Sequence, residues 1–179
     1  MRNICFMDFE TTGIDVFKDN PIEFGAVLVN EENEIIKEFH SFLSLRTKRK
    51  FSAQSKAIHG LDESNLVNAS EQKEMLVHFF NEFGTDYRFA GWNINFDVSF
   101  FRRMCHLNNF MREYNKIYHR HIDVQSISYF LSQKGILPEK EKSLSDLVDL
   151  FDLERREKHS AIEDARLTFE VYKKLMAIE

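Results

Sequence analysis

Asn3–Leu45 reads NICFMDFETTGIDVFKDNPIEFGAVLVNEENEIIKEFHSFLSL. Branched and aromatic stretches alternate there with polar breaks. Asn3–Phe9 predicts a first strand, Pro21–Asn30 a second and Glu34–Leu45 a third, each partly alternating. The break Asn30-Glu31-Glu32-Asn33 has the composition of a hairpin turn. Three sequential strands joined this closely make an antiparallel meander.

The pattern then turns helical. Glu71–Phe83 carries Met75, Leu76, Phe79, Phe80 and Phe83 at helical spacing. Tyr87–Trp92 predicts a short strand, followed by a helix through Phe100, Phe101, Met104 and Leu107, with Asn93 or Asn95 as its N-cap. His121–Val124 predicts a last strand. Helices over Ser126–Gln133, Ser143–Phe151 and Ser160–Met176 complete the chain. A meander followed by alternating helices and strands gives the α/β class, a mixed five-stranded sheet with helices packed on its faces.

Bulk properties fit one domain over residues 1–179. A domain of this size buries roughly 70% of its unfolded surface, and eighteen Phe supply much of the core. Six Gly and two Pro leave little for a flexible linker. The strand pattern begins at Ile4, which leaves no room for a signal peptide, and no apolar run is long enough for a membrane span. Cys5 and Cys105 fall in apolar patterns without a CxxC partner, as expected of buried free thiols in the cytoplasm. A net charge of −5 argues against coating duplex nucleic acid through backbone charge alone, though not against binding one strand end.

The chemistry resides in acids placed in apolar surroundings. Asp8 and Glu10 in FMDFETTG are two apart on a strand, so both leave the same face with Cα atoms about 6.5–7 Å apart. The Thr11-Thr12-Gly13 turn that follows offers amides and hydroxyls beside them. Asp97 in NINFDVSF falls near a helix N-terminus, which favours its ionised form. In KHSAIEDA, Ser160 and Glu163 have capping-box spacing, which gives Glu163 a structural job and places His159 at N′ and Asp164 at N4. Asp164 shares the inward stripe of Ala161 and Ala165, and an inward acid needs a partner. A metal ion is the best candidate.

Other clusters read more plainly. Asp146, Asp149 and Asp152 recur every three residues opposite an apolar stripe and predict a solvated face. Asp123, at a strand end, predicts a structural role ahead of the alternative, a place supporting the metal-binding acids. Arg155, Arg156 and Lys158 immediately precede His159, where a basic run can meet phosphates.

Together, DFETTG, the NFD of GWNINFD and HSAIEDA resemble the three motifs of the DEDDh, or DnaQ-like, 3′–5′ exonuclease superfamily. His five residues before the last Asp selects the histidine branch. The similarity continues through PIEFGAV, AIHGLDESNL and SLSDLVDLFDL and so covers nearly the whole chain. It implies a ribonuclease-H-like fold, with Asp8, Glu10, Asp97 and Asp164 as metal-binding acids and His159 as general base. Thr11, Thr12, His59 and Phe96 match positions that hold the terminal nucleotide. Where many relatives carry His before the Asn of the second motif, this chain has Trp92, which touches on substrate preference.

The expected reaction is hydrolysis of single-stranded DNA from its 3′ end, releasing nucleoside 5′-monophosphates. An RNA 3′-end-processing enzyme is the alternative. An inactive end-binding relative would lack one of the five residues, and all five are present. Oxygen ligands and no Cys/His cluster suit two Mg²⁺ or Mn²⁺ ions rather than zinc. Asp8 is expected to bridge both ions, with Glu10 and Asp164 completing one site and Asp97 supporting the other. Expected partners are single-stranded DNA or RNA 3′ ends and a polymerase or other nucleic-acid-processing complex. The chain has no tail for such a complex after the last helix, which favours a free-standing enzyme or an excised domain.

Overall fold

In the computed structural model, which describes residues 2–47, 51–138, 143–156 and 160–178, the first strand is central because both its faces are apolar. This strand, β1 (Asn3–Thr11), buries Cys5 and Met7 on one face and Phe6 on the other. On one side it pairs antiparallel with β2 (Pro21–Val29), which pairs antiparallel with β3 (Ile35–Phe42). On the other side β4 (Tyr87–Gly91) runs parallel to β1, and β5 (Tyr118–Asp123) runs parallel to β4. The sheet order is therefore β3-β2-β1-β4-β5, the mixed five-stranded sheet that the sequence predicts.

The β2–β3 turn is held by Asn30, whose Oδ1 accepts from the Glu32 and Glu34 amides at 3.1 and 2.8 Å. Asn33 takes the left-handed conformation there (φ 61°). After β3 come α1 (Ala53–His59), a 3-10 turn at Glu63–Leu66, and α2 (Gln72–Phe83). α3 (Ile94–Leu107) follows β4, and the short α4 (Met111–Tyr114) leads into β5. α5 (Val124–Gln133), α6 (Leu144–Leu150) and α7 (Ala161–Met176) close the order.

Two cores sandwich the sheet. On one face α2 and α3 pack Phe79, Phe100 and Phe101 against Phe9, Phe24 and Phe89. On the other, α6 and α7 pack Leu147, Ala165 and Phe169 against Phe6, Val27 and Ala90. Rings mostly meet at an angle, as between Phe24 and Phe79 at 5.1 Å, the arrangement favoured by the aromatic quadrupole. Cys5 and Cys105 are buried free thiols, as expected. Among the described residues no helix is long and apolar enough to cross a membrane.

Several boundaries differ from the sequence reading. β1 continues two residues past Phe9, carrying Asp8 and Glu10 inside the strand rather than at its end. β5 starts at Tyr118, because its partly exposed edge position supports a polar run, YHRH, that lacks an apolar signature. α1 carries no helical stripe to predict it; Ser52 caps its start by accepting from the Ser55 amide, and Gly60 ends it at φ 72°. Asp146 does more than face solvent: with Ser143 it forms the capping box of α6.

The parallel pairing of β1 with β4 spans only Asn3–Phe6. Beyond it β1 continues alone on that side while the chain turns from β4 into α3. The sheet opens there, beyond the carboxyl end of β4 and between a parallel and an antiparallel neighbour. Crevices at such switch points are where open α/β sheets bind ligands.

Candidate active site

Asp8 and Glu10 leave β1 on the face covered by α7. Their partners across the β1–β2 ladder are Gly25 and Glu23. Gly25 decides how close the helix comes. A Cβ on it would lie 2.2 Å from the Ala161 carbonyl carbon and the Ile162 nitrogen, so only glycine lets the first turn of α7 rest on the strand. That contact delivers Asp164 to the other two acids. One carboxylate oxygen each from Asp8, Glu10 and Asp164 lie within 4.8 Å of one another.

The start of α7 is held differently from the expected capping box. Ser160 is the N-cap, yet its side chain makes no cap hydrogen bond to the helix. Its hydroxyl instead donates to Glu23 Oε1 at 3.1 Å, and the same oxygen accepts from the Ala161 amide at 3.2 Å. His40 Nε2 meets that oxygen as well, at 2.7 Å. Glu23, reaching from β2, thus supplies an acceptor to the first amide of α7 and takes up the hydroxyl that a capping box would have turned to the helix. Glu163 is turned to the chain before the helix: Oε1 accepts from the Arg156 amide at 2.8 Å, and Oε2 pairs with Arg166. Its task is structural, as expected, by another route.

Asp97 arrives on α3. Asn93 is the N-cap, but through a left-handed backbone (φ 56°) rather than through its side chain. Its own amide donates to Asp123 Oδ1 at 3.0 Å, which gives Asp123 the expected structural role. Asp97 Oδ1 accepts from the Phe9 amide at 3.1 Å. That N–H belongs to the part of β1 that has outrun β4 and has no ladder partner. Asp97 therefore closes the opening in the sheet while adding a buried acid beside the cluster. It stands outside the 4.8 Å group formed by the other three among the described residues.

Three of these closely set acids, Asp8, Glu10 and Asp97, resist ionisation. Burial foremost, then the charges of Asp164 and Glu23, raise the Asp8 carboxyl well above the usual range, with Arg155 opposing them. Burial and then Asp8, Asp164 and Glu23 push Glu10 up to about 9. Burial and Asp8 raise Asp97 well above its ordinary value, against the lowering effect of the Phe9 amide. Arg155 forms an ion pair with Asp164 at the rim and is the described cation in contact with the cluster. This donor set is all oxygen, convergent and under-neutralised, and it fits a hard divalent cation.

The remaining sequence candidates have the following places. Thr11 donates its hydroxyl to the Gly13 carbonyl at 2.7 Å, and the Thr12 hydroxyl accepts from the Asn20 amide at 2.9 Å. Both therefore pin the loop after β1. His59, at the end of α1, accepts the Leu61 amide on Nδ1 at 2.9 Å. The proton is thus on Nε2, facing the Thr11 carbonyl at 3.3 Å, and ties α1 to the same loop. Phe96 is half-buried and packs on Phe100 at 5.0 Å. Trp92 packs against the core under α7, on the other side of the sheet from Phe96. His159 and Lys158 lie outside the described residues.

Three contributors escaped the sequence reading. Glu23 and Gly25 position α7, and each left a signal: an acid and a glycine inside an otherwise apolar strand. The loop after β1 also presents Ile14 and Phe17, 83% and 84% exposed. Hydrogen bonds tie that loop down, among them the Asp15 amide to Asp19 Oδ2 at 2.9 Å and Arg103 to the Asp19 carbonyl at 2.7 Å.

Comparison with known proteins agrees with this arrangement. Residues 5–172 match the sequence model of the exonuclease family. The chain is 30% identical over 166 residues to a PolC-type DNA polymerase III of Thermotoga maritima, covering 93% of this chain and 11% of that protein. It is 29% identical to the DNA polymerase III subunit epsilon of Aquifex aeolicus, covering 95% of this chain and 78% of that one. The chain thus spans about a tenth of the length of the PolC-type relatives. Among solved structures, E. coli exonuclease I in complex with a dT13 oligonucleotide superposes with a TM-score of 0.84 at 16% identity, over 99% of this chain and 42% of that one. A zinc-bound form of the E. coli exonuclease I–single-stranded DNA complex superposes at 0.82, with 16% identity over 96% of this chain and 39% of that one. The fold is ribonuclease-H-like, and the chain belongs to the exonuclease family.

Proposed function

We propose that this chain is a catalytic domain that hydrolyses single-stranded DNA stepwise from its 3′ end and releases nucleoside 5′-monophosphates. The observation that carries the reading is the meeting of Asp8 and Glu10 from β1 with Asp164 from α7 within 4.8 Å, beside Asp97. Asp8, Glu10, Asp97 and Asp164 would hold two Mg²⁺ or Mn²⁺ ions. Such ions, when bound, offset the charge of the phosphodiester as it is attacked. Glu10 and Asp97 are buried, with Asp164 at the edge of burial and Asp8 partly so, and charges fixed in such surroundings act more strongly than in bulk water. His159 directly precedes Ser160, the N-cap of α7, and is assigned the role of taking a proton from the attacking water. Thr11, Thr12, His59 and Phe96 would seat the terminal nucleotide, with the half-buried Phe96 ring offering a face to a base.

DNA is favoured as substrate because the relatives named above are DNA polymerase III proteins. Association with a polymerase or another nucleic-acid-processing complex belongs to the same proposal. The two buried free thiols suit the cytoplasm.

The test is incubation of 3′- and 5′-labelled single-stranded DNA and RNA with Mg²⁺, Mn²⁺ or EDTA. A 5′-labelled DNA ladder shortening in either metal and persisting in EDTA is expected. Degradation from the 5′ end, or none in either metal, would overturn the reading. Faster loss of RNA would move the substrate to the alternative class.

A further inference from the structure

We propose that the groove between α3 and β5 is a second nucleic-acid subsite, which takes an unpaired base upstream of the 3′ end held at the carboxylates. It rests on the exonuclease reading and extends it to a length of strand.

The groove has a volume of about 410 Å³ and is lined by Asn95, Ser99 and Arg102 of α3, Phe89 of β4, Tyr114 and His121. Pockets that hold small organic groups start at roughly 300 Å³. Tyr114, partly exposed, offers flat apolar surface on one wall, over the fully buried Phe89, whose ring lies 6.0 Å from that of His121.

His121 supplies the second observation. Its Nδ1 is buried and has no hydrogen-bond partner among the described residues. A buried polar atom left without a partner is costly, and a ligand that reached this one would relieve that cost. Burial and His119 hold this imidazole below its ordinary range, so near neutral pH it is uncharged and can make one hydrogen bond at Nδ1. The edge of a base has matching donors and acceptors.

Charge selects the same class of ligand. Although the chain carries a net charge of −5, residues 112–120 hold Arg112, Lys116 and Arg120 against Glu113. Arg102 lines the groove itself. Next to it, the guanidinium carbons of Arg2 and Arg88 each stand 4.9 Å from the Tyr118 ring centroid, which fixes two further cations on this edge of the sheet. An aromatic wall under a cationic rim is what single-stranded nucleic acid requires: stacking for the base and neutralisation for the backbone. The groove also has the right origin. Asn95 lies two residues before Asp97 in the first turn of α3, and from Asn95 to Arg102 the groove follows the helix for about 10 Å.

The test compares a dT 12-mer with the p-nitrophenyl ester of thymidine 5′-monophosphate, which is small enough to reach only the carboxylate site. His121→Phe keeps an aromatic ring beside Phe89 and deletes the nitrogens; Ser99→Trp fills the groove from the opposite wall. Each variant is expected to raise KM for the 12-mer by about tenfold, leaving kcat and hydrolysis of the small ester within twofold of wild type. An unchanged KM for the 12-mer in both variants, or an equal loss on both substrates, would overturn the subsite. If wild-type protein hydrolyses neither substrate in Mg²⁺ or Mn²⁺, the exonuclease reading fails on its own. Fluorescence anisotropy of a labelled 12-mer in EDTA then tests the groove separately: weaker binding by His121→Phe supports it, and equal binding removes it.

Discussion

Gly25 of β2 and Ala161 of α7 touch backbone to backbone, with no space for a methyl group between them. This contact sets the height of α7 above β1 and hence the distance from Asp164 to Asp8. Gly25→Ala must lift the first turn of the helix. It is expected to cost about 1–3 kcal/mol of stability, the range of overpacked cores, and to abolish hydrolysis. The cleaner readout is metal binding: wild type should gain melting temperature in millimolar Mg²⁺ or Mn²⁺, and Gly25→Ala should gain none.

Glu23 holds the same turn by accepting from Ser160 and Ala161. Glu23→Ala leaves the Ala161 amide without its acceptor and should destabilise by about 1–2 kcal/mol, the usual cost of a lost N-cap. Glu23→Gln keeps an oxygen in place and should cost less than half as much. Chemical denaturation measures both, and equal losses would show that the cap is not what Glu23 contributes.

The raised acids make metal-free stability depend on pH in a definite direction. Glu10 titrates near 9 in the folded protein against an ordinary value of 4.5, and Asp8 and Asp97 shift the same way. Between those values the native state holds protons that the unfolded chain has released. Stability is therefore fully present below about pH 4 and is lost as pH rises towards 9. In EDTA the melting temperature should fall steadily across this window. Divalent metal should flatten the fall, because binding displaces the same protons.

Asp8 stands closest to the centre of this repulsion. Two carboxylates about 5 Å apart repel by roughly 3 kcal/mol at an effective dielectric of 20. Asp8→Ala is expected to abolish hydrolysis with the fold intact. Asp8→Asn, which keeps the shape and removes the charge, should raise the metal-free melting temperature at pH 8 and lose the metal-induced gain. Retained activity in Asp8→Ala would remove the residue from the mechanism.

Arg155 pairs with Asp164 at the rim and lowers the charge that the cluster presents. Removing it leaves the acids more strongly negative. Arg155→Gln should tighten Mn²⁺ binding several-fold, measurable by titration calorimetry on the metal-free protein; weaker binding would instead make Arg155 a support for Asp164.

Much of this was legible beforehand because it is periodic. The strands through Val29 and the helices carrying Phe79, Phe101 and Phe169 have strong apolar patterns, and the acids stand out against them. What was missed is of another kind. Glu23 caps a helix 137 residues away, and pairwise relations at that distance leave no trace in spacing. Glu23, like Asp8, is an acid inside an apolar run. Gly25, in mid-strand, was the available sign of a close backbone approach. Ser160 and Glu163 have capping-box spacing, but the local motif yields when a buried acid from the sheet takes the Ser160 hydroxyl as a donor.

The two-residue alternation of β1 carries a last consequence. Asp8 and Glu10 share their face only because Phe9, between them, points into the ring cluster of Phe24 and Phe101. A single inserted or deleted residue in this strand would exchange the two faces, sending the acids among the phenylalanines and a phenyl ring towards Asp164. Length changes here have no half-measures: the centre cannot drift by small steps, and such a variant should be lost outright rather than slowed.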